Sequence, residues 1–219
     1  MQDVAWKHAK ALQFGYSDLG SRNQFWALSR ITMQVTGYPR WGDTVRLESW
    51  TSGTNRLFAL RDFRLYDDEE RELMKAVTAW LVVDSESRRP VRPETVLQDL
   101  VVTSLPSQFQ DPPEKITPPD TDDGAGVSYE TTARYSDIDA QSHVNNTRYV
   151  SWMLDSLGPS WHESRHLHQL SVNFLKECVL NDVLDVSCTV SEDQTRSDHA
   201  ITRIDDGTRA AVMSLRWRS

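Results

Sequence analysis

Apolar and polar residues alternate along much of the chain, and the alternation comes in blocks. Leu184, Val186, Cys188 and Val190 alternate with Asp185, Ser187 and Thr189, the period of a half-buried strand. Val45 and Leu47 alternate with Arg46 and Glu48 until Trp50 breaks the pattern, a looser match. Asp67-Asp68 and Asp205-Asp206-Gly207 mark turns between neighbouring strands, the latter with hairpin composition. The first half then reads as a helix at about 2–13 and strands near 26–36, 43–51, 56–67 and 71–84. The second half reads as a strand near 128–136, a helix near 145–157, and strands near 168–178, 183–191, 197–205 and 208–217.

Between them, Pro106 to Val127 holds five of the nine prolines and reads as a linker. The organisation is therefore a first repeat over 1–105, a linker over 106–127 and a second repeat over 128–219. Residue matches support a duplication. Val4-Ala5-Trp6 aligns with Val150-Ser151-Trp152, Leu28-Ser29 with Leu170-Ser171, Gly42-Asp43 with Asn181-Asp182, and Trp80 with Trp217. The offset falls from 146 to 142, 139 and 137, as small loop deletions would produce. On this alignment the counterparts of Ser128 to His143 precede residue 1. The first repeat is therefore expected to lack its opening strand, with about 20–30 further codons upstream encoding it.

Composition narrows the class. The 219 residues are 38% apolar and 26% charged, as in ordinary globular proteins, with no stretch resembling a membrane span or a signal peptide. A net charge of −8 argues against general nucleic-acid binding. Cys178 and Cys188 form neither metal spacing nor a disulfide framework, and suit a reducing cytoplasm. His162, His166 and His168 include an i, i+4 pair but sit in polar surroundings after Pro159, so they read as solvated loop histidines; no metal or cofactor is expected. The eight tryptophans fill a core or line an apolar cavity.

The densest chemistry lies from Tyr135 to Trp152, where Asp137, Asp139, Gln141 and His143 precede the second helix. A base, a group to orient it and a helix N-terminus are the parts of a hydrolytic site. Taken singly, Asp137 and Asp139 suit turns or caps, His143 suits a structural role, and Cys178 suits a small core residue.

A helix preceded by one strand and followed by long antiparallel strands is the hotdog arrangement. The run Ser136-Asp-Ile-Asp-Ala-Gln-Ser-His-Val-Asn-Asn-Thr-Arg-Tyr149 with Trp152 resembles acyl-acyl-carrier-protein thioesterases of the plant and bacterial fatty-acyl type. So do Tyr38 to Asp43, Glu48 to Thr51, Arg61-Asp62-Phe63, Trp80 to Pro90 and Phe174-Leu-Lys-Glu-Cys178. The resemblance implies an α+β tandem double hotdog, each repeat a long antiparallel sheet wrapped around a central helix. It also implies catalytic roles for Asp139, Gln141, His143 and Glu177 in the second repeat, acyl carrier protein as partner, and an acyl-chain tunnel mainly in the first repeat, where Trp6, Trp26, Leu28, Ile31 and Met33 either line it or pack the core. Gln141 stands where the family pattern Asp-x-Asn-x-His has Asn, and its added methylene implies either a slower reaction or a site adjusted around it.

On this reading Glu177 and His143 activate water, Asp139 and Gln141 fix the imidazole and substrate, and Asn145 or Asn146 caps the helix. Backbone N–H groups of Val144 and Asn145 are expected to face the oxyanion. Arg88, Arg89 and Arg92, with Arg134 and Arg148 near the motif, are the cations available to an acidic carrier protein. The fused repeats suit a monomeric pseudo-dimer or a homodimer. Two alternatives share the fold: a hydratase or dehydratase, and a non-catalytic acyl-binding protein.

Overall fold

The alternating segments form long antiparallel strands in both halves of the computed structural model, which describes residues 1–97, 105–117 and 126–219. The chain divides into two units, Met1–Glu114 and Lys115–Ser219. The first contains α1 (Gln2–Ala11), α2 (Tyr16–Gly20), β1 (Gln24–Val35), β2 (Arg46–Asn55), β3 (Phe58–Tyr66), β4 (Glu72–Asp84) and the short β5 (Pro90–Val91). Its strand order is β2-β3-β4-β1, with β5 on β4.

The second unit contains β6 (Val127–Thr132), a 3-10 turn (Tyr135–Asp137), α3 (Asn146–Asp155) and α4 (Pro159–Ser164). Four strands follow: β7 (His166–Phe174), β8 (Val183–Val190), β9 (Arg196–Arg203) and β10 (Arg209–Arg218). Its order is β6-β8-β9-β10-β7, which repeats the first with β6 added on the outer side of β8. The duplication read from scattered residue matches is thus a duplication of strand order. Among the described residues no helix is long and apolar enough to cross a membrane.

Differences from the expected elements have local causes. Helix α1 stops at Ala11 because Gln13 adopts a left-handed φ of 60° and Phe14 N–H turns back to Ala9 O. The strand expected to reach residue 136 ends at Thr132. There Ala133 N–H bonds Asp182 O, and the chain turns through Tyr135–Asp137. The histidine-containing stretch holds α4 instead of a loop, which puts His162 on a helix and His166 and His168 on β7. His162 packs edge-on against Trp217, and His168 Nε2 lies 2.9 Å from Arg218 Nη2. Trp6 is half exposed beneath Lys10, so it does not line an interior.

The Pro-rich stretch begins as part of the first unit. Ser107 Oγ and Gln108 N–H both donate to Asp62 Oδ1, at 3.0 and 2.7 Å, partnering one oxygen of a fully buried carboxylate whose Oδ2 has no partner among the described residues. Ile116 N–H donates to Asn173 Oδ1 in the second unit. Residues 118–125 of the expected linker lie outside the described residues.

Helix α3 buries Tyr149, Trp152 and Met153 at i, i+3 and i+4, and its partners are β8, β9 and β10. Full burial of each such side chain contributes about 2–3 kcal/mol. The far end of α3 rests on a buried polar chain. Ser156 Oγ donates to Met153 O and lies 3.1 Å from His199 Nδ1. Trp217 Nε1–H donates to Ser197 Oγ, which lies 2.9 Å from His199 Nε2. Those donors leave His199 neutral, with the proton on Nδ1. Burial pushes its pKa from 6.5 down to about 4.

Between these values the unfolded chain binds a proton that the folded chain refuses, so stability falls as pH drops from 6.5 toward 4. The slope is at most about 1.4 kcal/mol per pH unit. Urea denaturation at pH 7.5, 6 and 5 should show this decline, and His199→Gln should lose its share of the slope. An unchanged slope in the variant would remove His199 as the cause.

Candidate active site

Asp137 and Asp139, two residues apart, do different work. Asp137 is buried and its Oδ2 accepts from Arg134 N–H at 2.8 Å, closing the 3-10 turn. Its Oδ1 lies 2.6 Å from Arg148 Nε on α3, an ion pair without hydrogen-bond alignment. Its carbonyl accepts from Asn145 N–H at 2.8 Å. The same residue thereby fixes both the entry to the loop and the start of the helix. Asp137→Ala would leave Arg134 N–H and Arg148 Nε without this partner. Because Arg148 is 42% exposed, the cost is below that of a fully buried pair, about 2–3 kcal/mol. Thermal or urea denaturation checks this, and a loss under 0.5 kcal/mol would refute the anchoring role.

Asp139 shapes the loop. Ile138 and Val144 form an antiparallel bridge, and inside it Asp139 N–H donates to His143 O at 2.8 Å. Ser142 N–H donates to Asp139 O, and Gln141 N–H donates to Asp139 Oδ1 at 2.8 Å. Ser142 takes the left-handed φ of 63° that so short a closure demands. The recorded contact of the Asp139 carboxylate is therefore with its own loop, while the Gln141 side chain is exposed.

His143 leaves this loop beside the segment that follows β7. Val144 N–H donates to Cys178 O at 2.8 Å, and Cys178 N–H donates to the buried Tyr149 hydroxyl at 2.9 Å. These two bonds hold residue 177 against the motif, and His143 Nε2 lies 3.3 Å from Glu177 Oε2. The side chains are 27% and 39% exposed, so water and substrate can reach both. Of the four expected catalytic residues, the structure brings His143 and Glu177 into contact. It puts Asp139 and Gln141 on the loop that presents the histidine.

The helix start corrects one expectation. Val144 N–H is bound to Cys178 O and Asn145 N–H to Asp137 O, so neither is available to an oxyanion. Asn145 caps α3, its Oδ1 accepting from Thr147 N–H at 3.0 Å and its carbonyl from Arg148 N–H. Among the described residues, the first-turn amide left without a partner is that of Asn146. Arg148 is committed to Asp137 and to the face of Trp152, which makes it a structural cation. Cys178 is fully buried, and burial pushes its thiol pKa up, so it is a poor nucleophile.

Sequence reasoning missed Tyr149 and the Asn146 amide. The i, i+3, i+4 spacing of Tyr149 marks it as buried, but its hydroxyl partner is 29 residues away and leaves no local signal.

The family model for the acyl-ACP thioesterase N-terminal domain matches residues 1–101, and that for the C-terminal domain matches residues 121–219. The chain belongs to the acyl-ACP thioesterase family. Its motif and the Glu177-Cys178 segment both fall within the C-terminal model. It is 28% identical over 231 residues to the chloroplastic acyl-acyl-carrier-protein hydrolase FATB1 of Cuphea viscosissima, covering 100% of this chain and 55% of that protein. It is 26% identical to the chloroplastic dodecanoyl-acyl-carrier-protein hydrolase of Cinnamomum camphora, covering 100% of this chain and 60% of that protein. The chain thus spans a little over half the length of these curated relatives.

Among solved structures, the 12:0-ACP thioesterase from Umbellularia californica is similar at TM-score 0.89 and 25% identity, over 100% of this chain and 86% of that one. An acyl-ACP thioesterase from Bacteroides thetaiotaomicron shares the fold at TM-score 0.86 and 23% identity, over 99% of this chain and 86% of that one. The acyl-ACP thioesterase fold is the tandem hotdog that the repeated strand order describes.

Proposed function

We propose that this chain hydrolyses the thioester joining a fatty acyl chain to acyl carrier protein, releasing free fatty acid and carrier protein. The observation that carries the reading is the contact between His143 Nε2 and Glu177 Oε2, made at the solvent-reachable end of the family motif. Glu177, oriented by His143, takes a proton from water as its oxygen attacks the carbonyl carbon. The carbon–sulfur bond then breaks, and the proton passes through the same pair to the departing sulfur.

Negative charge on the former carbonyl oxygen is met at the first turn of α3, where the Asn146 N–H is uncommitted and the helix dipole adds to it. Asp139 and Gln141 act through the loop: Asp139 holds the turn that aims the imidazole, and Gln141 reaches toward the substrate from its exposed position. Arg134 is exposed beside the loop and suits the acidic surface of the carrier protein. Arg88, Arg89 and Arg92 are exposed on the first unit and suit the same partner.

Incubation with acyl carrier proteins of several acyl lengths tests the reading. Free thiol and free fatty acid should accumulate in equal amounts over many turnovers. Acyl-chain binding without thiol release would leave an acyl-binding protein instead, and a product altered at its α or β carbon would leave a hydratase.

A further inference from the structure

The arc of chain that carries Glu177 is gripped at both ends by one side chain. Tyr149 on α3 is only 2% exposed. Its ring meets Phe174 edge-on, 5.9 Å between centroids, where β7 ends. Its hydroxyl accepts from Cys178 N–H at 2.9 Å and also bonds the Cys178 thiol. Burial pushes the hydroxyl pKa up, so the group stays neutral. Between the two contacts lie Leu175, Lys176 and Glu177. The first two donate their N–H groups to Ala210 O, at 2.8 and 3.1 Å, as the chain leaves the strand.

Tyr149 stands three residues after Asn146, whose N–H is the uncommitted donor at the start of α3. One rigid helix therefore presents both the N–H that meets the oxyanion and the hydroxyl that holds the neighbour of the base. The spacing of these two groups is set by helical backbone, at about 1.5 Å of rise per residue, and not by a loop. A buried hydroxyl bonded to an amide elsewhere in the fold would serve stability alone. Here the amide belongs to the residue after Glu177, whose carboxylate must stay 3.3 Å from His143 Nε2.

We propose that Tyr149 is a positioning residue for the hydrolysis: its hydroxyl fixes the Glu177 carboxylate relative to the Asn146 N–H, so that base and oxyanion donor face one carbonyl. This rests on the reading of water attack by the His143–Glu177 pair. Replacing the hydroxyl by hydrogen keeps the ring and its packing on Phe174 and Trp152. It takes the partner from the Cys178 N–H, and the arc is then free to shift. A displacement of reacting groups on the order of 1 Å costs about 10²-fold in rate.

Thiol release from dodecanoyl-acyl carrier protein, measured where every variant is folded, tests the assignment. Tyr149→Phe should lower kcat by about 10–10²-fold and leave KM unchanged. In a Glu177→Gln background the same change should cost less than about twofold, because the group it positions is already gone. Ser156→Ala removes a hydrogen bond at the other end of α3 and should keep the wild-type kcat. Amide hydrogen exchange reads the arc without substrate. The Cys178 amide should exchange at least about tenfold faster in Tyr149→Phe, while the amides of β8 and β9 keep their rates. Wild-type kcat in Tyr149→Phe, a loss that multiplies with that of Glu177→Gln, or an equal loss in Ser156→Ala would overturn the proposal. So would unchanged exchange at Cys178. The two readings fail differently: a wild type that releases no thiol sinks hydrolysis and this role with it, whereas an active wild type matched by Tyr149→Phe sinks only the role.

Discussion

Glu177→Gln should lower kcat/KM for acyl-acyl-carrier-protein hydrolysis by about 10²–10⁴-fold, the range for loss of a positioned general base. The substitution keeps the shape of a side chain that is 39% exposed, so the denaturation midpoint should not move. His143→Ala should cost a similar factor, because the carboxylate loses the group 3.3 Å away that orients it. The double variant should be little worse than either single one, since residues acting as a unit are not additive. Losses that multiply would separate the two roles and remove the pair as the catalytic unit. Steady-state thiol release, with circular dichroism to verify the fold, measures all three.

Asn146→Pro should lower kcat by about 10²–10³-fold, the usual cost of removing one oxyanion donor. The helix itself should tolerate the change. Asn146 is the first residue of α3, where proline is favoured, and the preceding Asn145 already has extended backbone at φ −61° and ψ 136°. Asn146→Ala retains the N–H and loses the side chain, so it isolates the contribution of the amide. If Asn146→Ala is as slow as Asn146→Pro, the side chain is responsible; if both are fast, the oxyanion lies elsewhere.

Much of the fold was legible because period-two alternation is strong in this chain and sheets of one order recur in both halves. The strand carrying Leu184, Val186 and Cys188 is β8, and all three are buried as their alternation requires. What local patterns missed was decided by single residues or distant partners. The left-handed Gln13 shortens α1, and α4 starts at Pro159, in a stretch whose polar composition reads as loop. Ser107 and Gln108 follow a proline, yet they serve a carboxylate 45 and 46 residues earlier in the chain.

The site was legible in the same uneven way. The acid–amide–histidine run identified the loop, and the resemblance supplied Glu177 from beyond β7. Spacing alone gives no means of telling Asp137, an anchor for the helix, from Asp139, a staple for the loop. The same limit explains the oxyanion expectation. A helix start offers several N–H groups in principle, but tertiary bonds from Cys178 and Asp137 had already taken two of them.

The most direct test of water attack by the His143–Glu177 pair is a single turnover of acyl-acyl carrier protein by excess wild-type protein. Thiol release and the intact mass of the protein are followed together. The expected result is free fatty acid appearing at the rate of thiol release, with no acylated protein at any time. An acyl adduct that forms as the thiol is released and maps to Cys178 would contradict it.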